Sequence, residues 1–297
     1  MMRIMVPATT ANLGAGFDSF GMALSIYNVV EFETAASALH IDVQGSLRVP
    51  VDERNLLYQS IKQTLDDLGV KTPGLRIRQH NYIPVTRGLG SSAACRVAGV
   101  MIADMIAEAK LSREEIVGRA ARMEGHPDNV AAAVMGGFTI AGMDEGQTLV
   151  MKMEVGPSMK CCLLVPGFPL QTKKARFLLP DKVTRQAAVY NIGRAAVFAA
   201  AMATGRYEYL WEASKDALHQ PYRKQLVPGF DEIVLEAQGL GARAAFLSGA
   251  GPSIVALVDR EHEAFEQGMR SFLQKRQLDW KVLMTEVCQG GAWCEPC

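Results

Sequence analysis

The chain has 297 residues, of which 49% are hydrophobic, and this length favours two domains over one small core. Its 31 Lys and Arg residues balance 31 Asp and Glu residues, which argues against a surface that binds nucleic acid. The longest apolar stretch, Ala195 to Thr204, is far shorter than the ~20 residues of a membrane span, and the N-terminus resembles a first strand more than a signal peptide. We therefore expect a cytoplasmic protein with no membrane segment.

The first half of the chain predicts a mixture of strands and helices. Apolar residues with helical spacing predict a helix over 55–68, and the alternation of Leu75 and Ile77 with polar residues predicts a strand. Ser112-Arg-Glu-Glu115 is a capping box that opens a further helix. The predicted strands are 3–6, 25–34, 74–83, 137–141, 149–155 and 161–165, and the predicted helices are 55–68, 91–109, 112–125 and 128–135.

A change in composition near Gly156-Pro157 marks the predicted domain boundary, with one domain at 1–156 and the second at 157–297. The second half is rich in alanine and apolar residues, which is compatible with a homodimer. Because strands and helices are mixed without strict alternation, the fold class is α+β. The predicted helices are 184–204, 208–218, 232–238 and 261–275, and the predicted strands are 242–247, 254–258 and 280–287.

A glycine-rich stretch at 84–94 is the sharpest local signal of function. Gly88 and Gly90 allow the backbone to approach a ligand closely, and Ser91 and Ser92 stand where a helix begins. Free N–H groups and the positive end of the helix dipole make such a place an anion site. We therefore interpret it as a phosphate-binding loop.

Three other interpretations of this loop are open to a glycine-rich turn of this kind. It is not a Walker A motif, because no Gly-Lys-Ser/Thr follows. It matches the loose Gly-x-Gly-x-x-Ala dinucleotide pattern, but that pattern requires a parallel strand soon after the helix, whereas here a second helix follows. A tight turn that binds nothing is the remaining structural alternative.

The segment Glu124-Gly-His126-Pro-Asp-Asn129 supplies an acid, an imidazole and an amide between two predicted helices. Taken alone, it is equally typical of a helix break that leaves Glu124 on a solvated face. Beside a phosphate loop, it offers a metal ligand and part of a substrate pocket.

The cysteines are interpreted as structural. Cys95, Cys161 and Cys162 lie in apolar runs, where a reduced cysteine behaves as a small hydrophobe. Cys294-Glu-Pro-Cys297 has C-x-x-C spacing, but neither a second pair nor a nearby histidine completes a metal set. We therefore predict that this segment is a C-terminal tail.

With these residues in view, the sequence resembles the GHMP kinase family, in the form typical of its homoserine kinases. The resemblance covers nearly the whole chain, and all three family motifs occur in order. They are Val6-Pro-Ala-Thr-Thr-Ala-Asn-Leu-Gly-Ala-Gly-Phe-Asp18, Arg87-Gly-Leu-Gly-Ser-Ser-Ala-Ala94 and Leu247-Ser-Gly-Ala-Gly-Pro-Ser253. Further matches are the 124–129 segment, Thr172-Lys-Lys-Ala-Arg176, Pro221-Tyr-Arg223 and Pro228-Gly-Phe230. The departures are Ala15, Cys95 and Ser253, none of which removes a charged or metal-binding group.

The resemblance implies a two-domain GHMP kinase fold, with an N-terminal domain like ribosomal protein S5 domain 2 and a ferredoxin-like C-terminal domain. ATP would lie between the domains with its phosphates on the glycine-rich loop, Mg²⁺ would be held by Ser92 and Glu124, and Asn55 would lie near the adenine. The residues implied for the loop are Pro84, Val85, Thr86, Arg87, Gly88, Leu89, Gly90, Ser91, Ser92, Ala93 and Ala94.

The resemblance also implies an amino-acid pocket and a reaction. Arg176 and Arg223 would hold the carboxylate of L-homoserine, as a bidentate guanidinium fork can, and Asp18 would orient the hydroxyl that receives the phosphoryl group. The other residues implied for the pocket are Asn12, His126, Asn129 and Thr172. The catalytic set is then Asp18, Ser92 and Glu124. The alternatives are another small-alcohol kinase of the mevalonate type and a non-catalytic ligand sensor on the same fold.

Overall fold

A computed structural model describes residues 1–36, 38–45, 49–144 and 147–297. It contains eleven strands and ten α-helices within these ranges. The strands are β1 (Met2–Ala11), β2 (Phe20–Ala35), β3 (Leu39–Gln44), β4 (Gly74–His80), β5 (Phe138–Asp144), β6 (Gln147–Met153), β7 (Lys160–Pro166), β8 (Ala244–Leu247), β9 (Ile254–Val258), β10 (Trp280–Glu286) and β11 (Trp293–Pro296). The helices are α1 (Leu56–Asp67), α2 (Ser91–Ala107), α3 (Arg113–Glu124), α4 (Asp128–Met135), α5 (Thr172–Phe177), α6 (Arg185–Thr204), α7 (Leu210–Ala213), α8 (Gln220–Arg223), α9 (Phe230–Gly239) and α10 (His262–Lys275).

The strands form two sheets, the first built from β1 to β6 together with the C-terminal β11, and the second built from β7 to β10. The first has seven strands, in the order β11-β1-β2-β4-β3, with β5 pairing to β2 and β6 to β5. Its pairs are antiparallel except that β3 and β4 run parallel. The long strand β2 holds this sheet together because it pairs with β1, β4 and β5 at different points along its length.

The second sheet has four antiparallel strands in the order β10-β7-β9-β8. Helices α5 to α9 connect β7 to β8, a tight loop connects β8 to β9, and α10 connects β9 to β10. This is the β-α-β-β-α-β succession of a ferredoxin-like unit. The expected C-terminal architecture is thus present, with additional helices in the first crossover.

Helices α1 to α4 cover one face of the first sheet, and apolar spacing explains why they do. Leu57, Ile61 and Leu65 on α1 are fully buried, as helical periodicity predicts. The predicted capping box is present at the start of α3, where the Ser112 hydroxyl accepts from Glu115 N–H and the Glu115 carboxylate accepts from Ser112 N–H. One core lies beneath these helices and extends to one face of the second sheet, while a smaller core lies between that sheet's other face and α9 and α10.

Most predicted elements agree with the structure to within three residues at each end, but β1 ends five residues later and β2 begins five residues earlier than predicted. The helix predicted at 208–218 is wrong, because a single 3-10 turn and the four-residue α7 take its place and a loop follows from Ser214. Elements β3, α5, α8 and β11 were not predicted. Each of these has at most six residues, which is too short for periodicity to show.

The C-terminal segment is not a free tail. Strand β11 pairs with β1 in antiparallel register, with Cys294 opposite Ile4. Cys294 and Cys297 are exposed free thiols. The chain's last residues therefore return to the sheet that its first residues begin.

Helix α6 has 20 residues and is, by length and composition alone, long enough and apolar enough to cross a membrane. The apolar stretch considered in the sequence, Ala195 to Thr204, covers only its second half. One face of the helix belongs to the protein interior, since Asn191, Phe198 and Met202 are buried there.

Candidate active site

The three glycine-rich motifs meet at one place between the two sheets. The loop after β8 donates from Gly249 N–H to the Ala11 carbonyl at 3.0 Å and from Ser253 N–H to the Arg87 carbonyl at 3.3 Å. The Ser248 hydroxyl also contacts the Gly88 carbonyl. The third motif therefore contacts both of the other motifs and fixes their relative positions.

The loop before α2 has the geometry of an anion site. Gly90 is the N-cap of α2 with φ of +73°, and no side chain caps the first turn, so the first backbone N–H groups of α2 are free to bind a ligand. A Cβ at Gly90 would lie 1.9 Å from Thr9 Oγ1 on β1, which leaves no space for a side chain. The glycine is required both by its φ and by the close approach of β1.

A cavity of about 250 Å³ opens beside this loop, and residues Pro84 to Ser92 all line it. Ala93 and Ala94 are buried against the core and do not line it. The Arg87 guanidinium donates to the backbone carbonyls of Pro166 at 3.0 Å and Gly167 at 2.8 Å, so it ties the loop to the end of β7. Burial lowers the pKa of Arg87 from its ordinary value.

Ser92 and Glu124 come together although 32 residues separate them in sequence. The Ser92 hydroxyl donates to Glu124 Oε2 at 2.8 Å, and Arg96, one turn further along α2, donates to the same oxygen through Nε. A hydroxyl and a carboxylate are oxygen donors of the kind that Mg²⁺ prefers, so this pair fits the ion.

One end of the cavity is formed by apolar and amide side chains of the first domain. Asn55 is fully buried and does not line the cavity. It is the N-cap of α1, accepting from Leu57 N–H at 2.9 Å and donating to the Pro50 carbonyl at 2.7 Å. Its neighbour Leu56 does line the cavity, as do Val49, Gln79, Asn81 and Cys95.

The opposite end of the cavity contains the residues expected to bind an amino acid. Asn12, Asp18, His126, Asn129, Thr172, Arg176 and Arg223 all line it. They come from the loop after β1, the α3–α4 junction, α5 and α8, so the fold brings together four separate segments.

Within this group Asn12 positions other residues. Its Nδ2 donates to the Gly249 carbonyl and its Oδ1 accepts from Asp18 N–H, both at 2.9 Å. Both residues have positive φ, +71° for Asn12 and +53° for Asp18, so the loop is held in a conformation that few non-glycine residues adopt.

The Asp18 carboxylate accepts a bidentate pair of hydrogen bonds from Arg176 Nη1 at 2.9 Å and Nη2 at 2.7 Å. Thr172, at the start of the same helix α5, also faces the cavity. The predicted orienting residue and one predicted carboxylate-binding arginine are therefore partners of each other in the unliganded protein.

Arg223 is a buried cation without a carboxylate partner among the residues that the structure describes. Its side chain is almost fully buried, its Nη1 donates to the Gly249 carbonyl at 3.2 Å, and its buried Nε has no hydrogen-bond partner within that part of the chain. Burial, together with the nearby charge of Arg176, lowers the pKa of Arg223 to about 10. A buried guanidinium with an unused donor is suited to bind an anion from solution.

His219 is a residue that the sequence reasoning did not select. It is fully buried, stacks on Phe17 at 5.2 Å between ring centroids, and contacts the Gly14 carbonyl through Nε2 at 2.8 Å. Burial lowers the pKa of His219, which favours the neutral ring. His219 supports the Gly14–Asp18 loop beside Arg223. The signal in the sequence that could have identified it is its position four residues before Arg223, since residues with this spacing are neighbours on a helix surface.

His126 and Asp128 form a second charged pair in the cavity. His126 Nδ1 lies 2.6 Å from Asp128 Oδ1, an oxygen that also accepts from Asn129 N–H at 2.7 Å. Burial opposes a charge on His126, but the hydrogen bond and negative charge of Asp128, with Glu124 and Asp18 nearby, outweigh burial and raise its pKa. Asp128 belongs to the segment identified in the sequence, although it was not selected there.

Asn129 is held from two sides. Its Oδ1 accepts from the Thr9 hydroxyl at 2.8 Å, and its Nδ2 lies 3.1 Å from Asp128 Oδ1. Thr9 is the same residue that approaches Gly90, so Asn129 is connected to the phosphate loop through β1.

Comparison with known proteins agrees with this geometry. The family model for the GHMP kinases N terminal domain matches residues 55–137, and the model for the GHMP kinases C terminal domain matches residues 198–273. A homoserine kinase from Caldicellulosiruptor bescii is 45% identical over 295 residues, which cover 98% of this chain and 96% of that protein. The chain belongs to the homoserine kinases of the GHMP kinase family.

Other relatives support the same assignment. A homoserine kinase from Petrotoga mobilis is 41% identical over 293 residues, covering 98% of this chain and 95% of that protein. The crystal structure of homoserine kinase from Cytophaga hutchinsonii aligns with a TM-score of 0.90 at 28% identity, covering 99% of this chain and 97% of that one. The expected α+β GHMP kinase fold is confirmed.

Proposed function

We propose that the chain transfers the γ-phosphoryl group of ATP to the side-chain hydroxyl of L-homoserine, as a step of threonine biosynthesis. One observation carries this proposal: a phosphate-type loop at a helix N-terminus and two arginines suited to a carboxylate face the same cavity. A kinase for a small hydroxy amino acid requires both features, side by side. A kinase for an uncharged alcohol has no use for the second.

The triphosphate lies on the backbone N–H groups at the start of α2, where the helix dipole favours negative charge. The adenine occupies the end of the cavity lined by Val49, Leu56 and Cys95. The contact expected from Asn55 is then indirect, since its amide holds the start of α1 and thereby places Leu56. The Ser92 hydroxyl and the Glu124 carboxylate would hold Mg²⁺, which supplies neutralisation of the phosphate charge when it is bound.

The amino acid occupies the other end of the cavity. Its carboxylate is bound by Arg176 and Arg223, and for Arg223 it supplies the anionic partner that this buried cation lacks among the residues that the structure describes. When the substrate carboxylate binds Arg176, it replaces Asp18 in the ion pair. The Asp18 carboxylate can then face the polar groups of the substrate. His126 and Asn129 also line the cavity.

The chemical step moves one phosphoryl group. The hydroxyl oxygen of homoserine forms a bond to the γ-phosphorus, the bond from that phosphorus to the bridging oxygen breaks, and ADP leaves. Such transfers depend mainly on positioning and on stabilising charge in a loose transition state. In this proposal Asp18 orients the hydroxyl, and its carboxylate accepts the proton that the hydroxyl loses. The cytoplasmic location expected from the sequence stays a prediction.

The test is ADP release by the purified protein with ATP and Mg²⁺. L-Homoserine, mevalonate, L-serine and L-threonine are supplied as separate acceptors, beside a control without acceptor. Turnover with homoserine alone is the expected result. Turnover with mevalonate, which carries a carboxylate as well as a hydroxyl, would contradict L-homoserine as the specific substrate while leaving carboxylate binding by the two arginines intact. No ADP release with any acceptor, from protein that still binds ATP, would favour a ligand sensor.

A further inference from the structure

Arg96 contacts the proposed metal site without lining the cavity. It lies one turn after Ser92 on α2, and residues four apart share one face of a helix, so both side chains reach the end of α3. The Ser92 hydroxyl donates to Glu124 Oε2 at 2.8 Å, and Arg96 Nε donates to the same oxygen. Ser92 and Glu124 line the cavity, whereas Arg96 does not. Arg96 therefore contacts the carboxylate from the side of the protein rather than from the cavity.

The position of Glu124 requires a cationic partner. Glu124 is the last residue of α3, where the helix dipole is negative and disfavours a carboxylate. Only 12% of its side chain is exposed, so water compensates its charge poorly. Among the residues that the structure describes, Arg96 supplies the ion pair to this carboxylate. The negative charge beside the phosphate loop is therefore stabilised by the guanidinium of Arg96.

The contact engages one oxygen of the carboxylate and leaves the other. Oε2 of Glu124 accepts from both Ser92 and Arg96, and within the described part of the chain no hydrogen bond is made to Oε1. Two donors on one oxygen restrict the rotation of the whole carboxylate, and Oε1 remains available to a metal ion. Hydrogen-bonded partners orient the ligands of metal sites in this way.

We propose that Arg96 is a positioning residue for the metal site. Its guanidinium keeps the Glu124 carboxylate beside Ser92, so that Mg²⁺ meets a pair of ligands already in place. The inference rests on the proposed role of Ser92 and Glu124 in holding Mg²⁺. Loss of a partner that orients a metal ligand typically weakens metal binding by about 10- to 100-fold. Repulsion between the guanidinium and Mg²⁺ would have the opposite sign, so the direction of the change separates the two effects.

The first test is the affinity for ATP at a series of Mg²⁺ concentrations, measured by calorimetry without an acceptor. We call the Mg²⁺ concentration at which ATP binding is half-maximally tightened the Mg²⁺ requirement. Arg96→Met removes the donor and the charge, and it is expected to raise the Mg²⁺ requirement about 10-fold or more. The affinity for ATP in the presence of a chelator should be unchanged, because Arg96 does not line the cavity. An unchanged Mg²⁺ requirement would overturn the proposal, and so would a lower one, which would show that Arg96 repels the metal.

Arg119→Met is the matched control. Arg119 lies on α3, 19% of its side chain is exposed, and it forms an ion pair with Asp67 at 3.8 Å, so it resembles Arg96 in burial and in pairing. Because Arg119 does not line the cavity or contact Glu124, this variant should keep the Mg²⁺ requirement of the unaltered protein. Thermal unfolding checks that both variants are folded. Arg96→Lys retains the charge and is expected to have an intermediate Mg²⁺ requirement.

The second test determines whether Arg96 acts through Glu124. The Mg²⁺ requirement is measured for Arg96→Met, for Glu124→Gln and for the double variant. The double variant should match Glu124→Gln, since the carboxylate that Arg96 positions is already lost. Additive effects of the two substitutions would overturn the proposal, because Arg96 would then act on the metal or the phosphates independently of Glu124.

The same variants separate this inference from the proposed metal site. A raised Mg²⁺ requirement in Glu124→Gln without one in Arg96→Met would leave the metal site in place and overturn the role of Arg96. No change in Glu124→Gln would overturn both. ADP release with L-homoserine gives a further readout, since excess Mg²⁺ is expected to restore kcat of Arg96→Met to within about twofold of the unaltered protein. A loss of kcat that excess Mg²⁺ does not restore would contradict a role confined to positioning Glu124.

Discussion

Asp18 and Arg176 form a bidentate ion pair across the amino-acid end of the cavity, with N–O distances of 2.9 and 2.7 Å. The geometry is the one that a guanidinium fork adopts with a bound carboxylate. In the unliganded protein, Asp18 thus occupies the place proposed for the carboxylate of the substrate. Binding of that substrate would exchange one carboxylate for another on Arg176, which keeps the cation paired and releases Asp18 toward the reacting groups.

The first prediction concerns the charge of Asp18. Asp18→Asn keeps the size of the side chain but removes the carboxylate, so kcat is expected to fall by about 100-fold while KM for ATP changes by less than about twofold. Steady-state ADP release measures both quantities. Asp66→Asn, at an exposed position on α1, is the control and is expected to be unchanged. Full turnover by Asp18→Asn would exclude a charged role for this residue.

The second prediction concerns the two arginines. Arg176→Lys and Arg223→Lys each replace a planar fork by a point charge, and loss of a charge-assisted hydrogen bond of ~1.5–3 kcal/mol is expected to raise KM for homoserine about 10- to 100-fold. KM for ATP should be nearly constant. Arg260→Lys, at an exposed position, serves as the control. An unchanged KM for homoserine in both variants would remove these arginines from the pocket.

The third prediction separates two reasons why the phosphate loop requires a glycine at position 90, namely its positive φ and the close approach of β1. Gly90→Ala is expected to weaken ATP binding and to lower the free energy of unfolding by more than about 2 kcal/mol, because the new Cβ meets Thr9 Oγ1 in addition to a strained φ. Gly69→Ala is a matched control: its φ is +71° and nothing lies within 4 Å of its Cβ position. That variant should lose only about 1 kcal/mol and keep its KM for ATP. Equal effects of the two substitutions would contradict the close approach of β1.

The fourth prediction concerns Glu124. Glu124→Gln keeps a hydrogen-bond acceptor for Ser92 but removes the charge that fits Mg²⁺, so the Mg²⁺ concentration for half-maximal activity is expected to rise about tenfold or more. The affinity for ATP as a function of Mg²⁺ concentration, measured by calorimetry without an acceptor, gives a second readout. Glu114→Gln, on the exposed first turn of the same helix, should behave as the unaltered protein. An unchanged Mg²⁺ requirement in Glu124→Gln would place the metal elsewhere.

The fifth prediction follows from the raised pKa of His126. A group whose pKa is raised by folding stabilises the folded state fully below its unfolded pKa, and this stabilisation is lost as the pH rises through the folded pKa. Burial opposes the shift and Asp128 outweighs burial, so the stability of the protein relative to His126→Gln should be greatest on the acidic side of neutrality and decrease as pH rises.

Urea unfolding at a series of pH values measures this difference. The control is the same comparison in an Asp128→Asn background, where the partner charge is gone and the pH dependence should largely disappear. A difference between protein and variant that is constant with pH, or that grows as pH rises, would contradict the assignment.

Local signals in the amino-acid sequence predict most of the regular structure and the chemical character of the site. Periodic spacing located α1, and the capping box at Ser112 located the start of α3, because both signals arise from neighbouring residues. The phosphate loop was also readable locally, since its function depends on glycines beside the first turn of one helix. Side-chain chemistry made Arg176 and Arg223 candidates for carboxylate binding once the resemblance to the kinases was recognised.

Which of these groups are partners depends on contacts between distant parts of the chain. Asp18 and Arg176 are 158 residues apart, and Asn12 reaches Gly249 across 237 residues, so no local pattern could show either contact. The same holds for strand β11, whose four residues gain their structure from pairing with β1. Local signals depend on backbone geometry over a few residues. The placement of charges in the site depends instead on how the two sheets and their loops pack, and this packing is determined by the core as a whole.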